Sequence, residues 1–158
     1  MKKTLISLLA TMGGAVVGGT AAKKIIGKEL EVQRNMSAKH LALFLMMDRW
    51  VAVKQEGKNL ADYLEKSGYK TIAVYGMSYA GERFVEELAY SNIQIKYCID
   101  RNADNINSDI DIITLDDELE PVDAIIVTPI FFFDEIKREL STKIDCPIVS
   151  LEDILYEV

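Results

Sequence analysis

Apolar runs alternate with helical patterns along residues 69–158. The runs are short, rich in β-branched residues and ended by glycine, proline or charged residues, and they predict strands at 71–75, 93–99, 110–113, 122–128 and 146–149. Strands that alternate with helices are typical of parallel sheets with right-handed crossovers. The pattern therefore predicts an α/β domain with a small parallel sheet of about five strands.

A helix is predicted to begin near Gly81, with Phe84, Val85 and Leu88 on its apolar side. Charged residues fill the rest of its circumference: Glu82, Arg83, Glu86 and Glu87. Helical segments are also predicted at 131–140 and 151–156, with Phe132, Phe133, Ile136 and Leu140 available for the sheet. Residues 115–119 are predicted to form an acidic turn or a short helix.

Upstream, residues 28–55 contain neither glycine nor proline and predict a long helix. Its second half is apolar around most of its circumference, so it needs cover on more than one side. Residues that step by four and three form a seam suited to helix pairing: Met36, His40, Leu43, Met47, Trp50 and Lys54. Two interpretations stay open, namely packing on the main domain and a homodimer interface through 28–55.

A shorter helix is predicted after residues 57–59, with Asn59 as its N-cap and Gly68 at its end. Three segments follow from these patterns. Residues 1–27 form a hydrophobic N-terminal segment, 28–68 a helical arm, and 69–158 the α/β domain.

Residues 4–22 carry no charge and are flanked by lysines on both sides. A helix of that length reaches across a bilayer core of about 30 Å. The segment is compatible with a membrane anchor, with a cleaved secretory signal, and with a helix buried against protein. Taken as an anchor, it predicts a position at the cytoplasmic face of the membrane; a cytoplasmic location is the alternative.

Charge is divided unevenly along the chain. Residues 1–68 hold 11 Lys+Arg against 6 Asp+Glu, whereas residues 69–158 hold 7 against 19. An acidic α/β domain argues against nucleic acid as a partner, because phosphate binding needs a basic face. The basic N-terminal part, residues 1–68, suits a membrane surface or an acidic partner. Cys98 and Cys146 both fall in predicted strands, which predicts buried free thiols rather than a disulfide or a zinc site.

The turn after the first predicted strand is the clearest candidate site. It reads Gly76, Met77, Ser78, Tyr79, Ala80 and Gly81. A dinucleotide fingerprint has glycine at its first, third and sixth positions, for the sharp turn, the close approach of a pyrophosphate, and helix–strand packing. Here Ser78 takes the third position. A following helix N-terminus still favours an anion.

Two strand ends are expected to meet this turn. Asp100 ends the second predicted strand, 24 residues after Gly76, where a carboxylate can accept from ribose hydroxyls. The Asp100 carboxylate would repel a 2′-phosphate, and the adjacent Arg101 softens that repulsion. Thr128 and Pro129 end the fourth predicted strand, across the crevice from the turn. These residues complete the predicted nucleotide site.

The segments KTIAVYGMSYAGERFVEEL, IKYCID, VDAIIVTPI and CPIVSLEDIL resemble small Rossmann-like domains of bacterial polysaccharide biosynthesis. These include N-terminal domains of sugar acetyltransferases and relatives of nucleotide-sugar epimerases and dehydratases. The resemblance covers roughly the last 90 residues. It implies a Rossmann-like fold, NAD or a nucleotide-sugar as ligand, and polysaccharide-biosynthesis enzymes as partners.

The sequence lacks the catalytic elements of those families. No Tyr-x-x-x-Lys pair of the short-chain dehydrogenase type and no left-handed helix repeat occurs, and His40 is the only histidine. We therefore expect a membrane-associated, non-catalytic nucleotide-binding module. The alternatives are a minimal NAD- or nucleotide-sugar-dependent enzyme completed by a dimer mate or partner, and a ligand-free scaffold.

Overall fold

The computed structural model describes residues 27–158, and the chain divides into two compact units, Met1–Leu41 and Ala42–Val158. Helix α1 has the bounds Lys2–Gln55. Within the first unit, the described residues 27–41 are helical and exposed to solvent. The predicted anchor at 4–22 lies outside the described residues, as does the predicted segment 1–27 apart from Gly27. Within residues 27–158, no helix has the length and apolar character needed to span a bilayer.

The second unit is an α/β domain. After the end of α1 come α2 (Leu60–Lys66), β1 (Thr71–Tyr75), α3 (Tyr79–Leu88), β2 (Gln94–Ile99), β3 (Ile112–Ile113), β4 (Ala124–Val127), α4 (Phe133–Leu140), β5 (Ile148–Ser150) and α5 (Leu151–Glu157). Short 3₁₀ turns lie at Ala103–Asn105 and Ile130–Phe132. The predicted alternation of strands and helices is confirmed.

The five strands form one parallel sheet in the order β3-β2-β1-β4-β5. β1 lies at the centre, with Val74 beside Cys98 of β2 and Ile126 of β4. The chain therefore winds outward in one direction from β1 to β3, and then crosses back to β4 on the other side. The carboxyl ends of β1 and β4 flank the point where the strand order reverses, which is where parallel sheets leave a crevice.

Side chains alternate between the two faces of the sheet and belong to two separate apolar clusters, one on each face. One cluster joins Ile72 and Val74 to residues of α1, α2, α3 and α5. The other joins Ala73 and Tyr75 to Ile136 and Leu140 of α4. All four residues of β4 are buried, as its unbroken apolar run predicts for a strand covered on both faces.

The C-terminal part of α1 packs on this domain. Met46, Trp50 and Val53 are buried, which confirms packing on the main domain for this part of the helix. The homodimer through 28–55 stays a prediction. The domain itself binds two members of the predicted pairing seam, Trp50 and Lys54.

Glu87 of α3 is the residue that binds both Trp50 and Lys54. The carboxylate of Glu87 accepts hydrogen bonds from Trp50 Nε1 at 2.6 Å, Lys54 Nζ at 2.9 Å and the backbone N–H of Leu60 at 2.8 Å. Its side chain is only 10% exposed. The carboxylate of Glu87 therefore joins α1 and the start of α2 to α3.

Three local predictions need correction. α3 begins at Tyr79 rather than near Gly81, because Ser78 is its extended N-cap residue. β5 is Ile148–Ser150, so the half-buried Cys146 precedes the strand that was predicted to contain it. Phe132 is 39% exposed and lies in the 3₁₀ turn before α4, which begins at Phe133 rather than at 131. Both cysteines are free thiols, and burial raises the pKa of Cys98 to about 12.

Candidate functional site

The turn from β1 to α3 has only three residues, Gly76 to Ser78. Gly76 has a φ of +93°, a backbone conformation that side chains disfavour. A Cβ at this position would also lie 2.6 Å from Cγ of Pro129. Glycine is therefore required here both by the backbone conformation and by the contact with the end of β4.

Gly81 packs against the same turn from within α3. A Cβ on Gly81 would clash with the backbone oxygen of Gly76. This agrees with the role expected for the last glycine of the motif, which is close packing of the helix on the turn.

Thr128 holds the turn from the side of β4. The residue is 2% exposed, and its backbone N–H donates to the Tyr75 carbonyl at 3.0 Å. Its hydroxyl donates to the Gly76 carbonyl at 2.8 Å. The hydroxyl thus satisfies a carbonyl that the tight turn removes from the sheet, so Thr128 supports the site from beneath rather than lining it.

Asp100 holds the turn from the side of β2. Its Oδ2 accepts from the backbone N–H of Met77 at 2.8 Å, and its Oδ1 accepts from that of Asn102 at 2.9 Å. An ionised carboxylate has about four lone-pair sites. Two backbone donors therefore fix the orientation of Asp100 and leave acceptor capacity for a ligand.

A cavity of about 220 Å³ opens at these strand ends. Eight residues line it: Tyr75, Gly76, Asp100, Arg101, Pro129, Phe132, Glu135 and Ile136. Pockets that enclose a whole drug-sized ligand usually measure about 300–1,000 Å³. The cavity is therefore of a size for one part of a nucleotide and not for an entire dinucleotide.

Tyr75 and Arg101 form a polar pair in the cavity wall. Burial raises the pKa of the Tyr75 hydroxyl, and the nearby Arg101 guanidinium partly offsets that rise. The two carboxylates in the lining, Asp100 and Glu135, outnumber the single guanidinium. The cavity itself consequently favours a neutral group over a phosphate.

Four of the ten predicted site residues line this cavity, namely Gly76, Asp100, Arg101 and Pro129. The other six do not. Met77, Ala80, Gly81 and Thr128 are buried, while Ser78 and Tyr79 are exposed at the start of α3. The side chain of Ser78 makes no capping hydrogen bond.

Sequence reasoning missed the contribution of α4 and of the 3₁₀ turn before it. Phe132, Glu135 and Ile136 line the cavity although none was predicted to belong to a site. The available signal was positional, because these residues follow Pro129 at the start of the next helix. Their pattern of polar and apolar residues is that of an ordinary amphipathic helix and does not indicate a site.

No group of three or more His, Cys, Asp or Glu side chains in the described part of the chain is arranged to hold a metal ion. Comparisons with protein-family models, curated proteins and solved structures found no match to this chain. The geometry of the sheet and its cavity is therefore the basis for assigning a function.

Proposed function

We propose that residues 69–158 form a Rossmann-like module that binds a nucleotide or nucleotide-sugar through the cavity at the end of β1. The observation that carries the proposal is the position of this cavity. It lies where the strand order reverses, and it is bounded by the glycine turn and by Asp100. Open parallel sheets bind ligands at this position.

Asp100 supplies the polar contact that a ribose needs. Its carboxylate is fixed by Met77 and Asn102 and retains lone pairs for hydroxyl donors. A carboxylate so placed also repels a 2′-phosphate, which favours NAD over NADP among dinucleotides.

The phosphates of the ligand would lie outside the cavity, along the turn. The N-terminus of α3 begins directly after Ser78, and free N–H groups at a helix N-terminus attract anions. A nucleoside in the cavity with its phosphates toward α3 is consistent with the cavity volume of about 220 Å³. A full dinucleotide would extend over the surface beyond the turn.

We further propose that the module is a non-catalytic accessory of cell-surface polysaccharide biosynthesis at the cytoplasmic face of the membrane. This role is supported by the resemblance of the strand and turn motifs, by the uncharged segment 4–22, and by the excess of Lys and Arg over Asp and Glu in residues 1–68. Fractionation of cells that express the chain with and without residues 1–27 tests the membrane assignment. Recovery of the full chain in the soluble fraction would refute it.

A thermal-shift screen of the full chain against NAD, NADP, UDP-sugars and CDP-sugars tests ligand binding. We expect at least one of these ligands to raise the Tm at millimolar concentration, because a ligand that binds only the folded state stabilises it. Asp100→Ala should abolish that rise, whereas Asp104→Ala, an exposed neighbour, should preserve it. The absence of any rise with the unmodified chain would count against the proposal.

A ligand-free scaffold is the second candidate, and one observation favours it. Asp100 and Thr128 both bind backbone groups of the turn, so both have a structural reason to be present. This candidate predicts that no nucleotide changes the Tm and that the two residues affect stability alone.

A further inference from the structure

Two carboxylates from different parts of the fold line the cavity. Asp100 follows β2 and is fixed by backbone N–H groups, whereas Glu135 comes from the first turn of α4. The helix dipole favours negative charge in that first turn. Glu135 is exposed at the edge of the cavity, where its carboxylate supplies hydrogen-bond acceptors.

The remaining walls suit a flat ring. Phe132, Pro129 and Ile136 supply apolar surface, and Tyr75 adds a second aromatic ring. The only cation in the lining is Arg101, which offsets one of the two carboxylates and leaves the lining with a net negative charge. A base that enters this cavity therefore meets an acceptor of negative charge at Glu135.

We infer that Glu135 selects a nucleobase with an exocyclic amino group, such as cytosine or adenine, over uracil or thymine. The inference rests on the proposed function and names the ligand class of the same site. An amino group donates to a carboxylate, whereas a carbonyl oxygen at the same ring position is repelled by it. Uracil offers its N3–H only between two carbonyl oxygens, which the same carboxylate repels.

CMP and UMP are the sharpest probes, because they share the ribose, the phosphate and the O2 carbonyl. A hydrogen bond to a charged group and the loss of a repulsive contact together predict that CMP binds about ten-fold more tightly than UMP. Isothermal titration of the full chain with each nucleotide measures this ratio. Equal dissociation constants, or tighter binding of UMP, would overturn the inference.

Two variants assign the selectivity to Glu135. Glu135→Gln should bring the two constants to within about three-fold, because an amide can accept from an amino group and donate to a carbonyl. Asp134→Asn, which removes an adjacent charge that does not line the cavity, should preserve the ten-fold ratio. A ratio unchanged by Glu135→Gln would overturn the role of Glu135.

AMP and IMP repeat the comparison on a purine without any variant, and AMP should bind more tightly by a similar factor. The possible failures are distinguishable. Binding of both CMP and UMP with equal affinity contradicts base selection while leaving nucleotide binding intact. The lack of binding by all four nucleotides, together with a negative thermal-shift screen, overturns the proposed function and the inference that rests on it.

Discussion

The carboxylate of Asp100 accepts the backbone N–H of Met77 at 2.8 Å, so the end of β2 holds the turn that follows β1. Met77 itself is 7% exposed and packs in the core. The residue that sequence reasoning assigned to a ribose therefore has a structural bond as well. Its two roles can be separated by experiment.

Asp100→Ala should lower the free energy of unfolding by about 1–3 kcal/mol, because the N–H of Met77 then loses its acceptor in a largely buried turn. Urea denaturation without ligand measures the change. Asp104→Ala, an exposed aspartate in the following 3₁₀ turn, should stay within about 0.5 kcal/mol of the unmodified protein. Equal effects of the two substitutions would show that the Asp100–Met77 bond adds no stability.

Gly81→Ala should destabilise the protein by about 1–3 kcal/mol, because the new methyl group meets the backbone oxygen of Gly76 and cannot be accommodated by a side-chain rotation. Gly27→Ala is the matched control within a helix, since a Cβ there contacts nothing within 4 Å. It should be neutral or stabilising by up to about 1 kcal/mol. Thermal unfolding of the two variants gives the comparison, and a stable Gly81→Ala protein would contradict the packing described for α3.

Thr128→Val keeps the shape of the side chain and removes its hydroxyl, which leaves the Gly76 carbonyl without that donor. We expect a loss of about 1–3 kcal/mol in unfolding free energy. Thr128→Ser retains the hydroxyl and should lose less. If Thr128→Val costs little while Thr128→Ser is clearly destabilised, the methyl group rather than the hydrogen bond is what matters at this position.

Glu87→Ala should weaken the attachment of α1, because Trp50, Lys54 and the start of α2 all donate to this carboxylate. A cost of about 2–3 kcal/mol is expected for a part-buried charged acceptor. The chain has a single tryptophan, so its fluorescence reports on Trp50 directly. Emission should shift to the red in Glu87→Ala but not in Glu86→Ala, whose carboxylate instead pairs with Arg83 on the exposed side of α3.

Asp123 should contribute to the acid sensitivity of the fold. Its Oδ2 accepts from the backbone N–H groups of Lys70 and Thr71 and from the Thr71 hydroxyl, and these bonds lower the pKa of the carboxyl below its ordinary value. A depressed pKa in the folded state gives stability that is present above about pH 4 and is lost as the pH falls through the folded pKa. Asp123→Asn should therefore reduce the loss of unfolding free energy between neutral and acid pH. If the variant loses as much stability on acidification as the unmodified protein, Asp123 does not make this contribution.

Local patterns predicted most of the fold. The bounds of β1 match the structure, and the N-cap role of Asn59 is confirmed by its bond from the N–H of Ala61 at 2.7 Å. Both features depend on residues that are close in sequence. The start of α3 was predicted two residues late because Gly81 was read as part of the turn, whereas it lies in the first turn of the helix.

The features that escaped prediction depend on residues far apart in sequence. Glu87 binds Trp50, 37 residues away, and nothing in the charge pattern of α3 distinguishes it from Glu86. The contribution of Glu135 and Phe132 to the cavity depends on how α4 packs on the sheet. A sequence pattern indicates which side of a helix is apolar, but it does not predict which exposed residue lines a cavity.

The central claim is that a nucleotide occupies the cavity at the end of β1, and an NMR titration tests it most directly. The ¹⁵N-labelled full chain is titrated with CMP and with NAD while the amide shifts are followed. Saturable shifts are expected at Met77, Arg101 and Glu135 around the cavity, and none at Lys70 or Asp123 at the opposite end of the sheet. Shifts confined to that opposite end, or no shifts with either ligand, would contradict the assignment.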